Sequence, residues 1–437
     1  MRCDLTSTLH IYDPSSEVTR WVKKHLILDN PNYIKKARMG KWTGNTPKTL
    51  ALYVQTPYGY ILPAGCTSDI ERVVDMPIPL KPVSGALYGV QSTSALRPYQ
   101  VEAVSCMKDV RCGILQAPCG AGKTRIMLTL AGTLGLRTLW IVHTRDLLTQ
   151  ARSAAIGMYG KEGIGTIGAG KCVIGDRITF ATIQSLNKMD LSKIYDMWDA
   201  VMVDECHHAV GTVTSMTMYA HVLNSLYSTY RWGCTATAYR ADGLDPAMTA
   251  LLGPIVHVIS SDDVSAYRVP VKYIQVPSDW SYDPSDHLDS YGTISYTSVE
   301  SALTEDEDRN GIIADIIREA PKPCLVLSKR LHHLDLLDAI VPGIKLKKKR
   351  GGRGLIMYAT YALSSEGLDI PDLASVILAS PTKVITPKDA RTFEQAVGRV
   401  QRTSLGKVEG IVYDIIDTCP IYDKWTRGRS RFIKNKY

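Results

Sequence analysis

The chain has 437 residues, 45% hydrophobic and 22% charged, a globular composition too long for one ordinary domain and unlike a disordered one. No apolar run approaches the roughly 20 residues of a membrane-crossing helix, and the start, MRCDLTSTLHIYD, is polar where a secretion signal needs an apolar centre; a soluble, cytoplasmic protein without a membrane partner is expected. The net charge of +8 permits a polyanionic partner, and ten cysteines without CxxC spacing indicate neither a zinc site nor a disulfide framework.

Residues 1–88 mix short apolar runs, such as Leu50-Ala51-Leu52-Tyr53-Val54, with turn residues. This predicts a small strand-rich domain with one helix near 19–28, closed by a Pro-rich linker at 77–82. From 89 to 265, short apolar strands (112–117, 138–143, 177–183, 200–204 and 232–237) alternate with helical segments. That alternation predicts a parallel sheet covered by helices, an α/β fold. A polar stretch at 278–310 falls within the last block, 266–437, where strands are expected at 324–328, 355–360, 375–379 and 410–416. Two such blocks predict two tandem parallel-sheet lobes and a cleft.

The first block of alternation contains Gln116-Ala117-Pro118-Cys119-Gly120-Ala121-Gly122-Lys123-Thr124, between a predicted strand and a predicted helix. Glycines there let successive backbone amides wrap a phosphate at a helix N-terminus. Pro118, Cys119, Gly120, Ala121, Gly122, Lys123 and Thr124 are therefore the candidate phosphate-binding residues. Lys123 would reach the β- and γ-phosphates of ATP, and Thr124 would hold Mg²⁺. Some eighty residues on, Val201-Met202-Val203-Asp204-Glu205 brings two carboxylates to a strand end. Asp204 is the second Mg²⁺ candidate, and Glu205 would polarise the attacking water. Side chains alternate along a strand, so the strand must end near Asp204 for both acids to serve one site. Cys206, His207 and His208 are not a metal motif, since consecutive residues rarely converge on one ion; His207 is expected to link the site to the next strand.

These motifs resemble, in order, those of superfamily 2 helicases, with PCGAGKT and DECH in the forms of the XPB-like branch. The resemblance implies two RecA-like lobes. It makes Gln100 and Arg97, in Leu96-Arg97-Pro98-Tyr99-Gln100, adenine contacts. Thr235-Ala236-Thr237 resembles the motif that couples nucleotide to track, although Ala238 stands where proline is usual. Residues 359–371 resemble the fifth motif, which adds Thr360 as a nucleic-acid contact and Gly367 and Asp369 as nucleotide contacts. Gln395, Arg399 and Arg402, in Gln395-Ala396-Val397-Gly398-Arg399-Val400-Gln401-Arg402, resemble the sixth, whose arginines neutralise charge on the γ-phosphate. On a helix the two arginines would share a face. Thr144, Arg145, Gly168, Lys171, Thr182, Gln184, Ser328 and Arg330 are the implied strand contacts.

Within the superfamily the chain is similar to the UvsW-type helicases of tailed bacteriophages, which act on branched DNA, and residues 1–88 resemble their N-terminal DNA-binding domain. The resemblance implies an ATP-dependent DNA helicase or translocase with no obligatory protein partner. An RNA helicase, an inactive DNA-binding scaffold and a restriction motor subunit are the alternatives. Residues 20–42 carry seven basic residues against Asp29, with Trp21, Tyr33 and Trp42 interleaved, a pattern suited to phosphate contact with base stacking. The basic tail from Lys424 to Lys436 is expected as a final helix on the second lobe, and the run 347–354, KKKRGGRG, as a loop.

Overall fold

In the computed structural model, uninterrupted apolar runs such as Thr138–Val142 and Ala200–Asp204 are strands buried on both faces, as parallel sheets under helices require. The described residues are 1–79, 83, 96–213, 217–236, 242–280, 282–288, 292–346, 354–365, 370, 372–384, 387–404 and 406–436. Part of the expected linker (80–82), Thr237 and its neighbours to 241, the basic run at 347–353, Gly367 and Asp369 lie outside them. The chain divides into two units, Met1–Val264 and Ser265–Tyr437. Among the described residues no helix is long and apolar enough to cross a membrane.

The first unit opens with β1 (Arg2–Leu5), β2 (Thr8–Tyr12), β3 (Ile27–Asp29), β4 (Thr49–Ala51), β5 (Val54–Thr56) and β6 (Gly59–Pro63). An antiparallel sheet runs β1-β2-β6-β5, and β3 pairs with β4. Three helices accompany them, Ser16–His25, Pro31–Arg38 and Thr67–Val74, where one was expected. The first buries Val18 and Val22 and is capped by the Ser15 side chain, which accepts from Val18 N.

This N-terminal block shares its core with the larger lobe of the same unit. Ala247 and Ala250, on the helix Asp245–Leu252, join Leu9, Ile11, Leu62 and Ile70 in one buried cluster. Gly65 makes that approach possible, because a Cβ there would lie 2.5 Å from Ala250 O. Arg111 reaches back to Glu71 (3.0 Å) and to the carbonyl of Ile78 (3.2 Å). Ile78 is buried, so the Pro-rich segment begins as packed chain rather than as a free linker.

The rest of the unit is a sheet of β7 (Cys112–Gln116), β8 (Thr138–Val142), β9 (Ile164–Gly168), β10 (Lys171–Val173), β11 (Ile178–Thr182), β12 (Ala200–Asp204), β13 (Tyr230–Thr235) and β14 (Ile255–Val258). Their order is β10-β9-β11-β8-β12-β13-β7-β14, parallel except for the edge strand β10. The second unit holds β15 (Val271–Pro277), β16 (Cys324–Ser328), β17 (Ile344–Lys345), β18 (Ile356–Thr360), β19 (Ser375–Leu378) and β20 (Gly410–Ile416), all parallel in the order β15-β20-β19-β16-β18-β17. Its last helix, Pro420–Lys436, packs on this sheet. Buried Arg429 pairs with Asp414 at 2.7 Å, and Phe432 meets Phe393 edge-on.

Candidate functional site

Every strand of the first large sheet except β10 is parallel, so the loops after β7, β8, β12 and β13 leave from one edge, where α/β sheets hold ligands. The loop after β7 is tied down at its start, where Ala117 N donates to Thr235 O at 2.9 Å. Gly120 and Gly122 have φ of 82° and 81°, left-handed values that glycine adopts without strain, and they curl the chain into the helix Lys123–Leu134.

Gln100 stands otherwise than expected. It is 3% exposed, its Nε2 donates to Ala121 O (2.8 Å) and its Oε1 accepts from Arg97 N (3.0 Å). Tyr99 donates to the same Ala121 carbonyl, and Arg97 donates to the Tyr99 hydroxyl. A Cβ on Gly122 would lie 2.5 Å from Gln100 Nε2, so the missing side chain is what lets this buried carboxamide reach the loop. Gln100 therefore braces the phosphate loop in this structure, and half-buried Arg97 is held against Tyr99.

Strand β12 ends at Asp204, as the two-acid argument required, and Glu205 turns the chain at once with φ 49°. Both carboxylates thus serve one edge. Lys123 Nζ lies 3.8 Å from Glu205 Oε1 and donates to Ala117 O at 3.4 Å. Asp204 Oδ1 accepts from Glu205 N (2.9 Å) and from the Cys234 thiol (3.3 Å) on neighbouring β13. His207 Nδ1 is 3.0 Å from Thr235 Oγ1 and 3.4 Å from Glu205 Oε2, the expected link to the next strand.

Burial and the adjacent Glu205 charge push the Asp204 carboxyl up, against the pull of Lys123. Burial also acts to raise Glu205, but the Lys123 ammonium and the His207 hydrogen bond outweigh it and hold Glu205 down. Burial would lower Lys123; the Glu205 carboxylate reverses that and keeps the ammonium charged. Burial drives the Cys234 thiol well up, so it remains an S–H donor to Asp204. Cys234 and Tyr99 had no signal in the sequence.

The expected strand contacts divide into exposed and buried groups. Arg145 and Lys171 are exposed, and Gln184 donates from the surface to His143 O at 2.8 Å. Thr144 caps the helix Arg145–Tyr159 by accepting from Leu147 N. Gly168 and Lys171 pair across a tight hairpin whose turn residues, Ala169 and Gly170, have φ of 51° and 80°; Gly168 is buried over Thr182, leaving contact to Lys171. Thr182 is 4% exposed and donates to Ser185 Oγ at 2.8 Å. Thr360, half-buried, accepts from Leu363 N, and Arg330 is spent on Thr297 O and Glu300.

Ser328 is likewise no surface contact. It is buried, lies 3.0 Å from His333 Nδ1 and accepts from Arg330 N. His333 Nε2 faces Asn310 Oδ1 at 2.9 Å, while Asn310 Nδ2 donates to Thr304 O. Asn310 Oδ1 can only accept, so His333 carries a proton on Nε2, and in the neutral ring Nδ1 accepts from Ser328. Burial and nearby Arg309 lower His333 to about 3. An unfolded chain protonates this histidine below about pH 6.5 while the folded one resists, so stability is complete above that pH and falls as pH drops towards 3. We expect a loss of about 2 kcal/mol between pH 7 and 5 from this group alone. Urea unfolding at both pH values checks it; H333Q should show a smaller pH-dependent loss, and an equal loss would refute the assignment.

The sixth motif corrects the helical argument. Its helix, Pro387–Val397, contains Gln395 but stops before Arg399 and Arg402. Val400 is drawn into the core against Gly410, and the Gln401 carbonyl accepts from Val269 N at 3.0 Å. Arg399 is 7% exposed and donates to Ser364 O, whereas Arg402 is half-buried. A shared helical face therefore does not relate the two arginines.

Residues 93–240 match the family model ResIII, described as type III restriction enzyme, res subunit. A putative ATP-dependent RNA helicase of Acanthamoeba polyphaga mimivirus is 25% identical over 93% of this chain and 78% of its own length. A probable helicase of Escherichia phage T5 is 27% identical over 69% of this chain and 67% of its own. The DNA 3'-5' translocase XPB2 of Sulfurisphaera tokodaii is 29% identical over 48% and 45%. Among solved structures, an HsdR fragment of a type I restriction enzyme from Vibrio vulnificus shares the fold at TM-score 0.53 and 16% identity, over 77% of this chain and 68% of that one. The Hef helicase domain of Pyrococcus furiosus does so at 0.51 and 14%, over 77% and 98%. The chain is thus similar to superfamily 2 helicases, with a match to the ResIII model over residues 93–240 and similarity to relatives in the XPB-like branch.

Proposed function

We propose that this chain is an ATP-dependent DNA helicase or translocase acting on branched DNA, at forks or four-way junctions. The observation that carries the motor is the gathering of Lys123, Asp204 and Glu205 at one sheet edge, with Lys123 3.8 Å from Glu205. An ammonium, a hydroxyl, a buried carboxylate and a half-buried one form a donor set suited to a nucleoside triphosphate with a divalent ion. Thr124 and Asp204 would hold Mg²⁺, which supplies charge neutralisation on the phosphates. Amides of Cys119, Gly120, Ala121 and Gly122, in the loop that opens at Pro118, cradle the β-phosphate, and Lys123 takes the β- and γ-oxygens. Glu205, kept ionised by Lys123 and His207, orients the attacking water and accepts its proton. Gln395, Arg399, Arg402, Gly367 and Asp369 are assigned to the nucleotide by their motif alone. Of the arginines, half-buried Arg402 suits γ-phosphate charge better than Arg399, which is given to Ser364.

The DNA side of the reading rests on exposed cations and aromatics. Residues 27–51 form an excursion of β3, the helix Pro31–Arg38 and β4, and that helix buries no residue. Lys35, Lys36, Arg38, Lys41 and Lys48 stand there against Asp29. Trp42 is 87% exposed, its ring lying over Gly44. Stacking one base on such a ring contributes about 1–3 kcal/mol. W42A should therefore weaken forked-DNA binding on the order of tenfold and leave basal ATP turnover unchanged; an unchanged Kd in a fluorescence titration would remove Trp42 from the interface.

The mimivirus relative's name makes RNA the alternative track. ATPase and unwinding assays on forked, four-way and linear DNA and on RNA duplexes decide it. Greatest stimulation by branched DNA is expected, and stimulation by RNA alone would overturn the DNA assignment.

A further inference from the structure

The carboxyl edge of the first large sheet carries a row of three histidines, of which the phosphate chemistry uses His207 alone. β8 and β12 are neighbours, with Val203 opposite Ile141, so the residues just beyond them meet. Glu205 turns the chain into the short turn Cys206–His208, and this places His208 beside His143, which follows β8. The His208 ring centroid lies 4.2 Å from that of His207 and 4.3 Å from that of His143, tilted by 38° and 44°. His208 therefore stands between two other imidazoles, in contact with both.

The ends of this row matter. His207 is held at Glu205 Oε2 and Thr235 Oγ1, on the hydrolytic side. His143 leads directly into Thr144, the cap of the helix that begins at exposed Arg145, and its carbonyl accepts from Gln184. Three of the residues expected to meet the nucleic-acid strand thus converge on His143. His207 meets Glu205, and His208 meets both His207 and His143, so the row is continuous from the carboxylate to the loop bearing Arg145.

We propose that His208 is a positioning residue that couples the hydrolytic carboxylate to the nucleic-acid track through the row His207, His208, His143. This coupling rests on the motor reading and adds to it a route, within one lobe, by which bound nucleic acid alters turnover. Coupling requires contact along the row, so a flat ring at 208 suffices whether or not it can bear a proton. Coupling energies of this kind change a response about 5- to 150-fold.

The test uses the full chain, with steady-state ATP turnover measured without nucleic acid and with saturating single-stranded DNA or RNA. His208 is exposed, so its truncation should leave the fold intact. H208A should retain basal turnover and nucleic-acid affinity, while the stimulated increment falls about fivefold or more. H208F should restore most of that increment. Normal stimulation of H208A overturns the proposal, as does equal loss in H208A and H208F. If wild-type protein hydrolyses ATP in no condition, the motor reading itself fails, which is distinguishable from an active enzyme indifferent to position 208.

Discussion

Replacing Glu205 by glutamine is expected to lower kcat for ATP on the order of 10²–10⁴-fold, the range for losing a positioned general base. The carboxamide keeps the shape of the side chain but can no longer accept a proton from water. KM for ATP should stay the same or fall, because Lys123 no longer divides its charge between Glu205 and a phosphate; the two now lie 3.8 Å apart. A loss confined to kcat is the pattern of an interaction made only in the transition state. Turnover of E205Q within a few-fold of wild type would remove Glu205 from the chemistry.

Lys123→Ala should have two separable effects. Turnover should drop at least about a hundredfold, as when a preorganised donor to a developing anion is lost. DNA affinity should be retained, since Lys123 is a half-buried group of the phosphate loop. The second effect is on stability, because the substitution leaves the carboxylates of Glu205 and Asp204 together without their cation. Removing one partner of a buried pair costs about 3–5 kcal/mol; the 3.8 Å separation and partial exposure put this pair at or below the lower end. K123A/E205Q should recover much of that stability and none of the turnover. Recovery of turnover in the double variant would show that the pair serves the fold and not the reaction.

Much of this architecture is legible in residue order. Strands such as Ala200–Asp204, Cys324–Ser328 and Gly410–Ile416 announce themselves because parallel strands covered on both faces need unbroken apolar runs. The two acids at one strand end dictate where β12 must stop. The features that residue order hides depend on partners distant in the chain. The helix Pro31–Arg38 has no buried face and so no apolar stripe to read. The shared core of the N-terminal block turns on Gly65, Ala247 and Ala250, small residues that mark a close approach only once both surfaces are known.

Strand ends mislead for a related reason. Thr182 and Ser328 occupy positions where a hydroxyl can face a ligand or turn inward, and here Ser185 and His333 draw them in. In the sixth motif the pull of the core on Val400 ends the helix before the arginines that a helical pattern would align. Gln100 shows the same effect, since a buried carboxamide must satisfy both ends locally and the Ala121 carbonyl is within reach.

The measurement that bears most directly on this account is ATP turnover by the purified full chain, wild type and K123A side by side, with and without forked DNA. We predict hydrolysis by the wild type that rises severalfold with DNA, and none above background in K123A despite undiminished DNA binding. Hydrolysis that survives in K123A, or a wild type that turns over no ATP with any nucleic acid, would contradict it.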